Sequence, residues 1–192
     1  MSDWWKKEKD IPYTNPNFIK IIDFYQHKCP VIHQNGERVA NRGIDFKSKG
    51  WNSNLIKTLL CKMKNNNGKP ITYHCCEENE KVEDVMRHAE ASNNANFEAV
   101  IFIENKDIYK TQTIFYIIRN ALAHSSFSVT GRGTNKMYYF ESQKGDTIKG
   151  QIRIKESTLL YWIDLFDEPE KCTKKKDSKK IVARKNKRNR AA

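Results

Sequence analysis

Arg119, Asn120 and His124 are the residues of this sequence whose types and spacing are best suited to chemistry. Residues 111–126 carry one formal charge, that of Arg119, in a chain of which 30% is charged. An arginine binds phosphate through its planar guanidinium. A histidine, with an ordinary pKa of about 6.5, can donate or accept a proton near neutral pH. Together these residue types predict acid–base chemistry on a phosphodiester.

The surrounding residues predict a helix with two distinct faces. At about 100° per residue, one face is apolar and is expected to lie against the core; it consists of Ile114, Phe115, Ile117, Ile118, Ala121 and Leu122. The opposite face, which we call the polar stripe, consists of Gln112, Tyr116, Arg119, Asn120, Ala123 and His124. A helix side that faces water usually carries several lysines or glutamates. The polar stripe is therefore predicted to be a contact surface that carries functional groups.

Cleavage of RNA without a metal needs a base for the 2′-hydroxyl proton, an acid for the leaving oxygen, and a cation for the phosphoryl charge. One chain supplies one histidine of this kind, whereas the reaction uses two proton-transfer groups. A two-fold dimer that packs the polar stripe on itself would bring two sets together. We therefore expect a metal-independent endoribonuclease that acts as a homodimer on RNA, needs no cofactor, and uses Asn120 to orient the imidazole or bind phosphate.

The run Arg119-Asn120-Ala121-Leu122-Ala123-His124 resembles the Arg-polar-x-x-x-His signature of the HEPN superfamily, over about Phe115 to Phe127. The segments 138–141 and 148–154 resemble, more loosely, the β-hairpin and final helix of some bacterial HEPN proteins. The resemblance implies catalytic Arg119 and His124, a polar partner in Asn120, and products ending in a 2′,3′-cyclic phosphate. It also implies a toxin or antiviral-defence effector, with an antitoxin or other regulatory protein as a further partner.

Two other functions stay open on the sequence. In the first, the chain is a catalytically inactive HEPN-like module that binds a partner on the same surface. In the second, it is an RNA-binding adaptor whose affinity resides mainly in its carboxyl-terminal tail. In a purely structural interpretation, Arg119 pairs with Glu98 or Glu104 and His124 merely closes the helix.

Several residues are weaker candidates for substrate contacts. Tyr116 lies one turn before Asn120, and Ser125 lies at the expected end of the helix. Arg132 lies between two glycines in a turn, where its side chain and the backbone N–H groups suit phosphate. In the tail, phosphate contacts that weaken with salt are expected from Lys174, Lys175 and Lys176.

The positive charge of the chain is concentrated in that tail. Of the net charge of +12, residues 171–192 carry +10, with eleven basic residues and one acid, Asp177. The other residues carry +2, so composition alone does not predict a basic surface on the folded part.

The five cysteines are odd in number and irregularly spaced, which predicts free thiols in a reducing compartment. His74, Cys75 and Cys76, taken with Cys29 and His33, raise the question of zinc. Adjacent cysteines chelate poorly and no Cys-x-x-Cys pair is present, so no metal site is expected. The sequence also lacks an apolar run of about 20 residues and an amino-terminal signal pattern. We therefore expect a cytoplasmic protein without a membrane segment.

The expected fold is mainly α, a HEPN-like helical bundle over residues 1–170. A β-hairpin insertion at about 126–155 adds a small antiparallel meander after the motif helix, and residues 171–192 form a disordered basic tail. A short extended segment is expected at 71–76. Helices are predicted over 16–28, from Asn52 or Ser53 to about 65, over 80–92, 96–105 and 107–125, and from Ser157 or Thr158 to about 166.

Overall fold

A computed structural model describes residues 6, 13–29, 59–65, 67–69, 71–94, 96–104, 106 and 108–167. The predictions for the tail, including Lys174, Lys175 and Lys176, lie outside the described residues, as does His33. The helix predicted after Asn52 is described only from residue 59, and residues 59–62 are helical.

The centre of the fold is a five-stranded mixed sheet. Its strands are β1 (Thr72–Cys76), β2 (Ala99–Ile103), β3 (Phe127–Thr130), β4 (Met137–Lys144) and β5 (Thr147–Lys155), in the spatial order β1-β2-β5-β4-β3. β1 and β2 are parallel, and every other neighbouring pair is antiparallel.

Helices cover both faces of this sheet. They are α1 (Pro16–Ile22), which continues into a π-helical segment (Asp23–Lys28), α2 (Val82–Ser92), α3 (Lys110–Ala123) and α4 (Glu156–Asp167), with a 3₁₀ turn at Gly133–Asn135. Side chains of α1, the π segment, α3 and α4 share the larger core with Val100, Phe102 and Phe140. Side chains of α2 share a smaller core with Ala99 and Ile101. Because consecutive strand residues point to opposite faces, α2 lies on the other side of the sheet.

The predicted helical bundle is therefore wrong, because the chain has an α/β fold. The error lies mainly at 96–105, which was expected to be helical, whereas Ala99–Ile103 is the strand between β1 and β5. Both of its faces are buried, so its sequence is a continuous apolar run without alternation. Periodicity does not distinguish such a run from a buried helix.

Most of the other predicted elements are confirmed. The extended segment at 71–76 is strand β1, and the meander at 126–155 contains β3, β4 and β5. These three strands are not an insertion into a bundle, because they form the greater part of the sheet. No helix in the described ranges has the length and apolar character needed to cross a membrane.

A buried carboxylate connects three elements of the larger core. Glu156, at the start of α4, accepts hydrogen bonds from Tyr138 Oη at 3.0 Å, Asn17 Nδ2 at 3.0 Å and Lys136 Nζ at 3.3 Å. The partners lie on β4, on α1 and just before β4. A buried carboxylate is tolerated when it is paired and hydrogen-bonded, so Glu156 fixes α4 directly after β5.

Helix α3 approaches the sheet most closely at Gly150 of β5. A methyl group on Gly150 would overlap Ile117 Cδ1 and would lie 2.9 Å from Ile117 Cγ1 and 3.3 Å from Phe102 Cβ. Both neighbours are buried. The absence of a side chain at Gly150 therefore sets the distance between α3 and the sheet.

We predict that Gly150→Ala lowers the free energy of unfolding by about 1–3 kcal/mol, because it overpacks this contact. Urea denaturation followed by circular dichroism measures the change. Ile117→Val removes Cδ1, so the double variant should lose less stability than the sum of the two single variants. Strictly additive losses would show that the contact does not limit the approach of α3.

Candidate functional site at the carboxyl end of α3

The carboxyl end of α3 is defined by two backbone hydrogen bonds. Ser126 N–H donates to Ala121 O at 2.8 Å, and Ser125 N–H donates to Leu122 O at 3.3 Å. This pattern is a Schellman motif, which places one residue in the left-handed region. Ser125 occupies that position with φ +55°, although glycine would adopt it at lower cost. The helix therefore stops at Ala123, and His124 is its cap.

The polar stripe is open only toward this end of the helix. Gln112 is buried, and its Oε1 accepts the Tyr109 N–H at 3.0 Å, so it caps the start of α3. The expectation that Gln112 belongs to a contact surface is wrong. Tyr116 is half-buried and packs against the larger core. Ala123 and His124 are exposed.

Arg119 is half-buried and has few partners for its guanidinium. Its Nη1 lies 3.4 Å from Asn120 Oδ1, and its buried Nε has no hydrogen-bond partner. Within the part of the chain that the structure describes, no carboxylate forms an ion pair with Arg119. The described residues therefore leave donors of this guanidinium available for an anion.

The two carboxylates proposed as structural partners of Arg119 are engaged elsewhere. Glu98 Oε1 accepts the Lys155 N–H at 3.0 Å, and Glu104 Oε1 lies 3.6 Å from Lys110 Nζ. The pairing of Arg119 with Glu98 or Glu104 is therefore wrong.

A cysteine thiol near Arg119 does not neutralise its charge. Burial raises the pKa of Cys29 well above its usual range, and the smaller opposing effect comes from the Arg119 charge. The thiol Sγ donates to Tyr25 O at 2.8 Å. A thiol with a raised pKa stays protonated at neutral pH, so it offers Arg119 no negative charge.

Asn120 connects Arg119 to the sheet. Its Oδ1 faces Arg119, while its Nδ2 lies 3.4 Å from Ser142 Oγ. Ser142 is buried on β4, where the pairing with β5 becomes irregular. The sequence prediction missed Ser142 because strand pairing brings it to the helix from 22 residues away.

His124 is held in place through its backbone. Its N–H donates to Asn120 O at 2.9 Å, and no hydrogen bond to its imidazole is formed by any described residue. Asn120 therefore does not orient the ring within one chain. Arg119 and His124 are five residues apart, which is about 140° around a helix axis. A single copy thus presents them in different directions.

Of the two weaker candidates Ser125 and Arg132, only Ser125 lies at this site. Ser125 adjoins His124 and is exposed. Arg132 is also exposed, but it lies in the turn beyond Thr130. In the β3–β4 pair, Phe127 faces Phe140 near Ser142, whereas Thr130 faces Met137. At about 3.3 Å per residue, Arg132 lies beyond the far end of β3 and is not brought to the site.

Comparisons with protein-family models, curated proteins and solved structures found no match for this chain. The HEPN resemblance stays a prediction carried by the run from Arg119 to His124. The helical bundle that it implied is not the observed fold. The side chains at the end of α3 are the features of the molecule that bear on its function.

We predict that Arg119→Met leaves the free energy of unfolding unchanged or raises it by up to about 1 kcal/mol. The substitution keeps the apolar stem and removes a buried donor that has no partner. Urea denaturation with a fluorescence readout measures the effect.

Arg153→Met is the matched control. Arg153 Nη1 lies 3.4 Å from Glu90 Oε1, and its guanidinium carbon lies 4.4 Å from the centre of the Phe97 ring. Loss of the Arg153 guanidinium should lower the free energy of unfolding by about 1–3 kcal/mol. An equally large loss in Arg119→Met would assign a structural role to Arg119.

Proposed function

We propose that the chain is a metal-independent endoribonuclease that acts as a homodimer, with its active site at the carboxyl end of α3. The observation that carries the proposal is the half-buried guanidinium of Arg119, which lacks an acidic partner among the described residues and lies on the same helix end as the exposed His124. A phosphodiester would provide the negatively charged partner that the Arg119 guanidinium does not find among the described residues.

The proposed reaction is a transesterification within the RNA. The 2′-oxygen forms a bond to phosphorus while the bond from phosphorus to the 5′-oxygen breaks. Neutral His124 of one copy accepts the proton of the 2′-hydroxyl, and protonated His124 of the second copy donates a proton to the leaving oxygen. Arg119 stabilises the charge on the non-bridging phosphate oxygens. The products end in a 2′,3′-cyclic phosphate and a 5′-hydroxyl.

The geometry of a single helix favours a site shared by two copies. Arg119 and His124 point about 140° apart around the axis of α3, so one copy is poorly arranged to hold both against one phosphate. Ala123 lies between them and is exposed, and a small residue allows close approach of a second helix. A two-fold axis near Ala123 would place Arg119 of each copy near His124 of the other.

Asn120 and Ser142 act as positioning residues in this proposal. Asn120 accepts from the Arg119 guanidinium and donates to Ser142, which belongs to the rigid sheet. The sheet thereby restricts the orientation of the guanidinium before RNA binds, which lowers the entropic cost of forming the transition state. On the resemblance of the run from Arg119 to His124 alone, we extend the proposal to a toxin or antiviral-defence effector.

We predict that the purified chain cleaves 5′-labelled RNA in the presence of EDTA. His124→Ala should lower the cleavage rate about 10²- to 10⁴-fold, because it removes the proton-transfer group. Arg119→Met should lower the rate about 10²- to 10³-fold through lost charge stabilisation. Gel analysis gives the rates, and mass spectrometry of the fragments identifies the cyclic phosphate.

Two controls separate this site from a contaminating nuclease. His88→Ala removes an exposed imidazole on α2, on the other side of the sheet, and should not change the rate. An oligonucleotide made entirely of 2′-deoxynucleotides should stay intact, because it lacks the attacking hydroxyl. Equal cleavage by wild type and His124→Ala would place the activity elsewhere. RNA binding without cleavage, lost in Arg119→Met, would favour the catalytically inactive module.

We also predict that His124→Ala interferes with the wild-type chain in mixed dimers. At equal amounts with random pairing, about a quarter of the dimers contain two wild-type copies. A site that needs both histidines should therefore retain about a quarter of the activity, whereas independent sites would retain half. Differently tagged chains, refolded together and separated by tag, allow each dimer species to be assayed alone. Full specific activity per wild-type copy in the mixed dimer would contradict the shared site.

A further inference from the structure

Three potential metal ligands converge on the side of the sheet opposite α3. They are His74 and Cys76 of β1 and Glu80 of the segment between β1 and α2. One imidazole nitrogen, the thiol sulfur and one carboxylate oxygen all lie within 4.8 Å of one another. We propose that His74, Cys76 and Glu80 bind one Zn²⁺ ion.

Backbone geometry brings these residues together. His74 and Cys76 are two positions apart on a strand, so their side chains point to the same face. Pairing with Ile101 and Ile103 of β2 fixes their positions. The chain then reverses, as Glu80 N–H donates to Glu77 O at 3.1 Å and Glu77 N–H donates to Glu80 Oε2 at 2.9 Å. This reversal returns the Glu80 carboxylate to His74, with 2.8 Å between Oε2 and Nε2.

The combination of donors suits zinc more than harder cations. Zn²⁺ takes thiolate, imidazole and carboxylate ligands at about 2.0–2.3 Å in tetrahedral geometry. Such a tetrahedron spaces its ligand atoms about 3.3–3.8 Å apart. A separation near the 4.8 Å limit would have to close by about 1 Å, and the 2.8 Å contact between His74 Nε2 and Glu80 Oε2 would have to open by about 0.5 Å. His74 and Glu80 have side chains 39% and 35% exposed. Both can therefore rotate toward an ion that enters from solvent, while buried Cys76 anchors it.

The charges around the cluster favour a cation. The seven residues from 77 to 83 contain four glutamates and one base, Lys81, and in the described ranges no lysine or arginine forms an ion pair with any of the four. Zn²⁺ would offset part of this negative charge. Three protein ligands leave a fourth position for water, as in open zinc sites.

The three proposed ligands differ from the set considered in the sequence, which also included Cys75 and Cys29. Cys75 packs against the larger core, on the opposite face of β1, and Cys29 belongs to that same core. Neither can join Cys76, which packs with α2 in the smaller core. An ion at His74, Cys76 and Glu80 would connect the edge strand β1 to the chain just before α2. The proposal does not depend on ribonuclease activity.

Titration of the full chain with Zn²⁺ alone tests the proposal. The protein is stripped with EDTA, transferred to chelator-free buffer and studied by isothermal titration calorimetry. We expect one equivalent to bind at this site. Cys76→Ser, His74→Asn and Glu80→Gln should each weaken binding at least about tenfold, because loss of a residue that merely orients a ligand already has an effect of that size. Co²⁺ added in place of Zn²⁺ should give a thiolate-to-cobalt absorption band that Cys76→Ser abolishes.

Cys75→Ser is the matched control, because it removes the neighbouring thiol from the other face of the same strand. It should leave the Zn²⁺ affinity and the cobalt band unchanged. Circular dichroism in EDTA verifies that each variant is folded, and His74→Asn and Glu80→Gln alter partly exposed side chains that a folded chain should tolerate. Unchanged affinity in these two folded variants, or equal loss in Cys75→Ser and Cys76→Ser, would overturn the proposal.

Discussion

The close packing of α3 against β4 and β5 is the constraint on which the candidate active site depends. Gly150 leaves room for Ile117, so the apolar face of the helix lies directly on the sheet. Once this face is buried, the rotation of α3 is fixed, and Arg119 and Asn120 must lie at the boundary between protein and solvent. The same packing brings Asn120 within reach of Ser142. The site is thus a consequence of helix–sheet packing as well as of the motif.

Local patterns predicted the motif helix, a meander of two or three strands after it and the last helix, because each has a period or a boundary residue of its own. They did not predict the class of fold. The segment Ala99–Ile103 is buried on both faces, and only its pairing with β1 and β5 distinguishes it from a helix. Ser142 and Glu80 were missed for a related reason. Ser142 reaches Asn120 through strand pairing, and Glu80 reaches His74 through a chain reversal. Residue spacing within one segment does not predict either contact.

Arg119 lies in a helix end that carries two features opposed to stability. Its guanidinium is partly removed from water beside a buried thiol whose raised pKa keeps it neutral, and its Nε has no partner. Ser125 adds a left-handed backbone conformation that a serine adopts at a cost. Native proteins generally satisfy buried donors, and strained or unsatisfied groups concentrate where function requires them. Buried polar atoms without a hydrogen-bond partner also occur at Ser128, Gln151 and Thr158, so the feature that sets this helix end apart is the combination of such a donor with a left-handed serine.

The two proposed sites use opposite faces of one sheet and different physical principles. At the end of α3 the guanidinium of Arg119 has no acidic partner in the described part of the chain and would attract an anion, so the reaction proposed there needs no metal. Beside β1 the protein supplies a thiol, an imidazole and a carboxylate next to several glutamates that form no ion pair with a described lysine or arginine, and would attract a cation. The strands β2 and β5 lie between β1 and β4, and they separate the positive charge at the end of α3 from the negative charge beside β1. A metal beside β1 would therefore stabilise the edge of the sheet without taking part in the proposed phosphodiester cleavage, and chelation would lower stability while leaving the cleavage rate of the folded chain unchanged.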